Sequence, residues 1–214
     1  MRKIIFSLLL IVFTLIPFAC IASEETEKEE CKIAKQLTGL TVISDNKAQM
    51  IFSSAISSTY SDSFWHDIFI LENKTKIRDI DVYMYCLGGD MFAGFAIIEH
   101  IEKAKKNGFI FTAYASGAIG SMAIPIYATF NHRIGYPSTV FMVHPTSLGT
   151  AKMMLTGADL QSQTELYNMT QDQYVSAIAK YSTLSKEEWL EKIQKDTWFS
   201  AEQAKEWGLV DEVR

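Results

Sequence analysis

The feature that most constrains the fold is an alternation of short strand-like runs with longer helical patterns. The strand-like runs are rich in β-branched and aromatic residues, and each is bounded by Gly, Asn, Asp or Pro. They are Leu40–Ile43, Gln49–Ser53, Ile80–Cys86, Phe109–Ala115 and Thr139–Val143. The helical patterns are Asp62–Asn73, Met91–Asn107, Ser121–Phe130 and Gly157–Tyr181. Strands that alternate with helices predict an α/β domain.

The last of these helical patterns carries an apolar stripe. Leu160, Tyr167, Tyr174, Ile178 and Tyr181 follow one another at intervals of 7, 7, 4 and 3 residues. These intervals place the five side chains on one face of a helix. Two interpretations stay open at this point: the stripe packs against its own domain, or the helix projects and packs against another subunit.

The N-terminus has the pattern of an export segment. Arg2 and Lys3 precede an apolar run, Ile4–Phe18, and small residues follow as far as Ala22. A positive start, an apolar middle and a small-residue end are typical of a secretory signal peptide. We therefore assign residues 1–22 to targeting, residues 23–38 to an acidic linker and residues 39–214 to the folded domain.

Two alternatives remain for this N-terminal segment. In one, Cys20 is the lipidated first residue of a lipoprotein. In the other, the 19 residues from Ile4 to Ala22 form an uncleaved anchor that just spans a bilayer. All three interpretations place the domain in the periplasm or elsewhere outside the cytoplasm, and any membrane contact then runs through this segment alone.

Composition excludes several classes of function. A length of 214 residues suits one domain, and a net charge of −5 argues against nucleic acid as the main partner. The three cysteines lack the paired spacing of a zinc site. The histidines at positions 66, 100 and 132 show no metal-ligand spacing either. We therefore expect neither a metal nor a cofactor.

A pair of glycines follows the third strand-like run directly. Gly88 and Gly89 stand where a strand turns into a helix, so the backbone there can approach a ligand and aim N–H groups at an anion. The turn is not a phosphate loop, because Phe95-Ala96 replaces the Lys-Ser/Thr that such a loop requires. The alternative is a tight turn with no ligand.

A run of small residues from Ala115 to Ala123 contains two candidate nucleophiles. Ser121 stands at the predicted start of an apolar helix, flanked by Gly120, where a substrate meets no steric wall. The alternative role for Ser121 is to cap that helix. Ser116 is a competing nucleophile that spacing alone does not exclude.

Two further residues are candidates for proton transfer. His144 closes the run Thr139–Val143 and precedes a proline, a position that suits a general base. Asp196 precedes two aromatic residues, Trp198 and Phe199, which we expect to desolvate its carboxylate partly. Such an acid can orient an imidazole, although each residue taken alone is equally consistent with a structural role.

Several stretches of the chain carry a resemblance to a known family. They are Tyr85–Gly94, Gly117–Ala123, Phe141–Pro145, Asp196–Ala204 and Trp207–Asp211. In this order they resemble the proteolytic subunit of Clp protease (ClpP), a serine endopeptidase, over about residues 49–213. The resemblance implies an α/β fold of the ClpP/crotonase type, a repeated ββα superhelix with a protruding helix.

The resemblance also implies a role for each candidate residue. Ser121 resembles the nucleophile, His144 the base and Asp196 the acid that orients the base. The backbone N–H groups of Gly89 and Met122 resemble the oxyanion hole, and Gly88 belongs to the substrate loop. Family members form stacked rings through the protruding helix, so we expect a homo-oligomer that acts on peptides or unfolded proteins.

The chain departs from the family in two places. Tyr85-Cys86-Leu87 precede the glycines where the family usually has Asn-Ser-Pro or a similar sequence. The export segment is the larger departure, because family members typically work with a cytosolic ATP-driven unfoldase. We therefore expect cleavage that does not depend on ATP.

Three other functions stay open on the sequence. One is a protease that resembles signal-peptide peptidases and uses a Ser–Lys pair, for which Lys152 is the lysine near His144. Another is a crotonase-type enzyme that binds an acyl-CoA and holds its oxyanion with Gly88 and Gly89. The third is an inactive scaffold that forms rings.

Overall fold

The computed structural model describes residues 32–33, 35–147, 149 and 154–214. The predicted export segment, with Cys20, lies outside the described residues, as does Lys152. The predictions that depend on them stay predictions. Among the residues that are described, no helix combines the length and apolar character needed to cross a membrane.

The described residues form strands β1 to β8 and helices α1 to α6. The strands are β1 Leu40–Ser44, β2 Lys47–Phe52, β3 Asp79–Cys86, β4 Ile110–Gly120, β5 His132–Gly135, β6 Val140–Val143, β7 Thr197–Ser200 and β8 Glu212–Val213. The helices are α1 Ser58–Lys74, α2 Met91–Lys106, α3 Ala123–Thr129, α4 Gly157–Ala179, α5 Lys186–Lys192 and α6 Ala201–Glu206.

The strands form one mixed sheet with the order β1-β2-β3-β4-β5-β8. Strands β2 to β5 run parallel, because α1, α2 and α3 return the chain after each strand. Strand β6 also pairs with β4, and β7 pairs with β6 in antiparallel orientation. The α/β architecture predicted from the alternating pattern is confirmed.

Strand β4 changes partner along its length. Its residues Thr112–Ala115 pair with β5, and Ala118–Gly120 pair with β6. Between these two segments the register with β3 jumps, and Gly117 adopts a φ of 63°. A Cβ on Gly117 would lie 2.9 Å from the Tyr85 ring. This irregularity brings the end of β6 beside the end of β4.

The core lies between the sheet and the helices packed on it. Along β3 the side chains alternate, with Ile80, Val82 and Met84 buried while Tyr83 and Tyr85 are exposed. Every residue of the short helix α3 is buried. Burial of a side chain the size of Ile or Met contributes about 1.5–3 kcal/mol, so this alternation fixes the register of the central strands.

The five predicted strands and the predicted helices are all present, with shifted ends. Strand β4 extends five residues beyond the predicted end at Ala115 and includes most of the small-residue run. Strands β5, β7 and β8 were not predicted. Each is four residues or fewer, and the pairing partners of such segments, more than their own residues, decide their conformation.

The apolar stripe of α4 packs against the chain's own domain along part of its length. In the C-terminal half, Tyr174 and Ile178 are buried against the chain's own domain. In the N-terminal half, Leu160 is 53% exposed and Tyr167 is half-buried. The C-terminal part of the stripe therefore belongs to the core, and the N-terminal part stays accessible.

Candidate active site

The turn after β3 needs both of its glycines. Gly88 and Gly89 have φ values of 103° and 151°, which side chains rarely adopt. A Cβ on Gly88 would lie 2.7 Å from Ser121 Cβ, and one on Gly89 would lie 2.3 Å from Ile56 O. Backbone hydrogen bonds from Ile56 N to Gly88 O and from Asp90 N to Ile56 O, 3.0 and 2.9 Å, hold the turn in place.

The Cys86 side chain makes hydrogen bonds that stabilise this turn. Its thiol donates to Ser54 O at 3.2 Å, and its sulfur accepts a hydrogen bond from Gly88 N at 3.4 Å. Burial raises the pKa of the Cys86 thiol, so the group stays neutral and keeps its donor proton. The thiol thus links the backbone at Ser54 to the backbone of the glycine turn.

Ser121 lies at the end of β4 in a strained conformation. Among the described residues, it alone has a positive φ without being glycine, at 52°. Backbone in this region costs a side chain about 1–3 kcal/mol and tends to occur at functional sites. Ser121 N donates to Met142 O at 2.8 Å. The hydrogen bonding between β4 and β6 therefore continues as far as Ser121. Its side chain does not cap α3, because the capping position is Met122 and has no side-chain hydrogen bond.

His144 follows β6 directly and reaches Ser121. Its Nε2 lies 2.8 Å from Ser121 Oγ, and its Nδ1 lies 2.6 Å from Pro145 O. A carbonyl oxygen only accepts, so the proton of a neutral imidazole must be on Nδ1. Nε2 is then free to accept the hydroxyl proton of Ser121, which is the tautomer a general base needs.

Asp196 stands apart from this pair. It precedes β7, and continuing the β6–β7 register by one pair from Val143 and Thr197 puts it opposite His144. Among the described residues, however, no hydrogen bond joins the two side chains, and Asp196 is exposed. The prediction that aromatic neighbours desolvate Asp196 is wrong. Trp198 is itself 57% exposed on the outer strand and shields little.

Ser116, the competing nucleophile, lies elsewhere. It is exposed at the irregularity of β4. Among the described residues that line the cavity beside Ser121, it does not appear. Its side chain makes no hydrogen bond to any histidine within the described ranges. The geometry therefore pairs His144 with Ser121.

A cavity of about 640 Å³ opens in front of Ser121 and His144. Gly89 and Met122 line it beside these two residues. Outside the regular helices and strands of the described residues, the N–H groups of Gly89 and Met122 donate no backbone hydrogen bond. The opposite wall comes from α4, by way of Gln163, Leu166, Thr170 and Tyr174. The lining of the cavity thus includes a hydroxyl, an imidazole and the two residues, Gly89 and Met122, whose N–H groups were predicted to bind an oxyanion.

Two residues of this site were not predicted from the sequence as parts of it. Ile56 holds the glycine turn through its backbone alone, which leaves no signal in the sequence. Tyr174 was placed on the apolar stripe of α4 but not in the site, where its hydroxyl donates to Ser121 O at 3.2 Å. The described residues contain no group of three or more His, Cys, Asp or Glu able to hold a metal ion.

A hydroxyl–imidazole pair beside a glycine turn, on a mostly parallel sheet, defines the serine hydrolase class. Residues 34–214 match the family model described as Clp protease. The chain therefore belongs to the Clp protease family and is a serine-type peptidase.

Individual relatives agree with this assignment. The chain is 29% identical over 170 residues to ATP-dependent Clp protease proteolytic subunit 2 of Corynebacterium efficiens, covering 78% of this chain and 82% of that protein. It is 30% identical over 148 residues to the subunit of the same name in Corynebacterium diphtheriae, covering 68% and 71%.

The fold agrees with a solved structure. A point mutant of ClpP1 from Listeria monocytogenes superposes with a TM-score of 0.67 at 20% identity. The match covers 78% of this chain and 90% of that one. The fold predicted from the resemblance is confirmed.

Proposed function

We propose that this chain is an exported endopeptidase that hydrolyses peptides and unfolded proteins with Ser121, His144 and Asp196, without an ATP-driven partner. The observation that carries the proposal is the 2.8 Å contact between Ser121 Oγ and His144 Nε2, with Nδ1 occupied by a carbonyl. That contact leaves the base unprotonated on the side that faces the nucleophile.

The chemistry proceeds in two displacements. Ser121 Oγ attacks the peptide carbonyl carbon while its proton moves to His144 Nε2, and the carbonyl π electrons move to the oxygen. His144 then gives that proton to the leaving amine, and the C–N bond breaks to leave an acyl-enzyme. Water repeats the sequence, losing a proton to His144, and the acid product departs as Ser121 regains its proton.

The oxyanion formed in each displacement requires donors. The N–H groups of Gly89 and Met122 border the cavity beside Ser121, and we assign them this role. Loss of one such donor typically costs about 100- to 1,000-fold in rate. The side-chain clashes at Gly88 and Gly89 support the assignment, because they keep the turn free of side chains.

Asp196 completes the proposed triad. The strand register that puts it opposite His144 supports this role. In the proposed active arrangement its carboxylate accepts the Nδ1 proton and stabilises the imidazolium during attack. The Pro145 carbonyl holds the same proton in the structure, so the two acceptors serve the same tautomer.

The location and the independence from ATP rest on residues 1–22. Their positive start and apolar middle support export, and an exported enzyme works where ATP is not expected. Its substrates must then already be unfolded or short. Fractionation of cells that express the full chain tests the location. Cleavage of casein by the purified protein, with and without added ATP, tests the independence from ATP.

A fluorophosphonate probe tests the nucleophile directly. The wild-type chain should be labelled, Ser121→Ala should not be, and Ser116→Ala should be labelled like the wild type. Labelling that persists in Ser121→Ala and disappears in Ser116→Ala would assign the chemistry to the other serine. An unlabelled wild type, with intact folding by circular dichroism, would contradict the proposed peptidase mechanism.

A further inference from the structure

A buried hydroxyl from α4 reaches the backbone of the nucleophile. Tyr174 is 3% exposed, and its Oη donates to Ser121 O at 3.2 Å across 53 residues of sequence. The same carbonyl also accepts a hydrogen bond from Ile124 N at 2.9 Å. Tyr174 lines the catalytic cavity as well. The proposed chemistry has so far assigned it no role.

The accepting carbonyl belongs to the same peptide unit as a proposed oxyanion donor. Ser121 C=O and Met122 N–H are joined by one planar peptide bond, and in the trans form they point in opposite directions. Whatever fixes the direction of the carbonyl therefore fixes the direction of the N–H. A hydrogen bond accepted at the oxygen also polarises the N–H, by roughly 10–30% in strength.

This peptide unit can turn while the strained φ of Ser121, 52°, stays as it is. Rotation of the Ser121–Met122 peptide changes ψ of Ser121 and φ of Met122, the two soft dihedrals on either side of the planar unit. Such a rotation would turn the Ser121 carbonyl towards the cavity and the Met122 N–H away from it. Two hydrogen bonds on one carbonyl oppose the rotation, and a phenol on a packed helix supplies one of them.

We propose that Tyr174 is a positioning residue for the oxyanion hole. Its hydroxyl holds the Ser121–Met122 peptide so that the Met122 N–H points at the developing oxyanion. The inference rests on the proposed peptidase function. Burial raises the pKa of the Tyr174 phenol, so the donor proton is retained throughout the pH range in which a histidine base works.

The chain offers a matched control. Tyr127 on α3 is fully buried, and its hydroxyl is the one buried side-chain polar atom of the described residues without a hydrogen-bond partner. Removing an unpaired buried hydroxyl is neutral or stabilising. Tyr174→Phe and Tyr127→Phe therefore delete the same atom from two buried rings, and only the first deletion breaks a hydrogen bond to the site.

The test compares both variants with the wild type on a fluorogenic peptide and on a peptide aldehyde. Ser121 attacks the aldehyde to form a hemiacetal whose oxygen occupies the oxyanion hole. In Tyr174→Phe we expect kcat to fall about tenfold, less than the loss of a whole donor, with KM unchanged. The aldehyde inhibition constant should rise by the same factor. Tyr127→Phe should keep wild-type values.

Rates are expressed per active site titrated to completion with fluorophosphonate, so unfolded molecules do not count. A Tyr174→Phe variant with wild-type kcat overturns the inference, and so does a fall in kcat without an equal loss of aldehyde affinity. An equal loss in Tyr127→Phe overturns it too, because the effect would then be one of packing. A wild type that is not labelled at Ser121 would instead contradict the proposed function on which the inference rests.

Discussion

The imidazole of His144 faces two regions that are held in different ways. On the Nε2 side, Ser121 is fixed by hydrogen bonds at its N–H, its carbonyl and its hydroxyl, from three separate elements. On the Nδ1 side, the proton goes to Pro145 O. Asp196, which the strand register puts opposite His144, is exposed before an outer strand. Ser121 is held by hydrogen bonds from the core, whereas Asp196 lies at the surface.

The difference follows from the strands that supply each residue. Ser121 follows β4, which pairs with three other strands, so its backbone has little freedom. Asp196 precedes β7, which among the described residues pairs with β6 alone. A strand with one neighbour restrains its end less than a central strand does. Substitutions can therefore alter the Ser121 side and the Asp196 side of the site independently.

The largest effect should come from removing the imidazole that joins the two regions. His144→Ala leaves the Ser121 hydroxyl without an acceptor, and we expect kcat to fall by about 10⁶-fold, as when a triad base is lost. Hydrolysis of a fluorogenic peptide measures the change. His132→Ala, at an exposed position of β5, is the control and should retain activity. A His144→Ala variant within about tenfold of wild type would place the base elsewhere.

On the well-held side, Gly89→Ala should disrupt the turn. The added Cβ meets the Ile56 backbone at 2.3 Å, so the turn must shift and carry the Gly89 N–H out of place. We expect kcat to fall about 100- to 1,000-fold, as for the loss of one oxyanion donor.

Gly108→Ala is the matched control for that change. Gly108 also has a positive φ, at 88°, but a Cβ there meets nothing within 4 Å. It should cost about 1 kcal/mol of unfolding free energy and leave kcat unchanged. Equal losses of kcat in both variants would mean that backbone strain, and not the position of the turn, reduces the activity.

On the exposed side, Asp196→Asn should have a smaller effect. The Pro145 carbonyl already holds the Nδ1 proton, so only the stabilisation of the imidazolium is lost. We expect kcat to fall about 100-fold, at the low end of what a proton-transfer partner contributes. Glu191→Gln removes one exposed charge from α5 and should leave kcat unchanged. Full activity in Asp196→Asn would contradict the proposed role of Asp196.

The smallest effect concerns the thiol beneath the glycine turn. The folded chain raises the pKa of Cys86 above its ordinary value of 9.0, so above pH 9 the unfolded chain loses this proton before the folded chain does. Stability therefore falls as pH rises, by up to about 1.4 kcal/mol per pH unit.

Urea unfolding between pH 9 and 10 measures this loss. Cys86→Ser has no thiol to titrate and should show a shallower decline over that interval, whatever its stability at pH 7. Parallel declines in the two proteins would contradict a buried, neutral thiol beneath the turn.

The sequence pattern predicted the α/β fold class, and the resemblance to the family named most of the candidate site residues. The strands were readable because their runs of β-branched and aromatic residues are bounded by turn residues. The glycine turn was readable because only glycine adopts its φ values. Strand β7 was not, since its conformation depends on its pairing with β6, and the exposure of Asp196 follows from that edge position.

The amino-acid sequence by itself determined which chemical groups are available: a serine among small residues, a histidine at a strand end, an acid and a pair of glycines. Only the tertiary structure decided their relations. The pairing of β4 with β6 sets the 2.8 Å contact of Ser121 with His144, and the packing of α4 puts the Tyr174 hydroxyl on the Ser121 carbonyl. Local patterns specify periodicity and turns, whereas contacts between residues 23 and 53 positions apart arise only when burial brings distant strands and helices together.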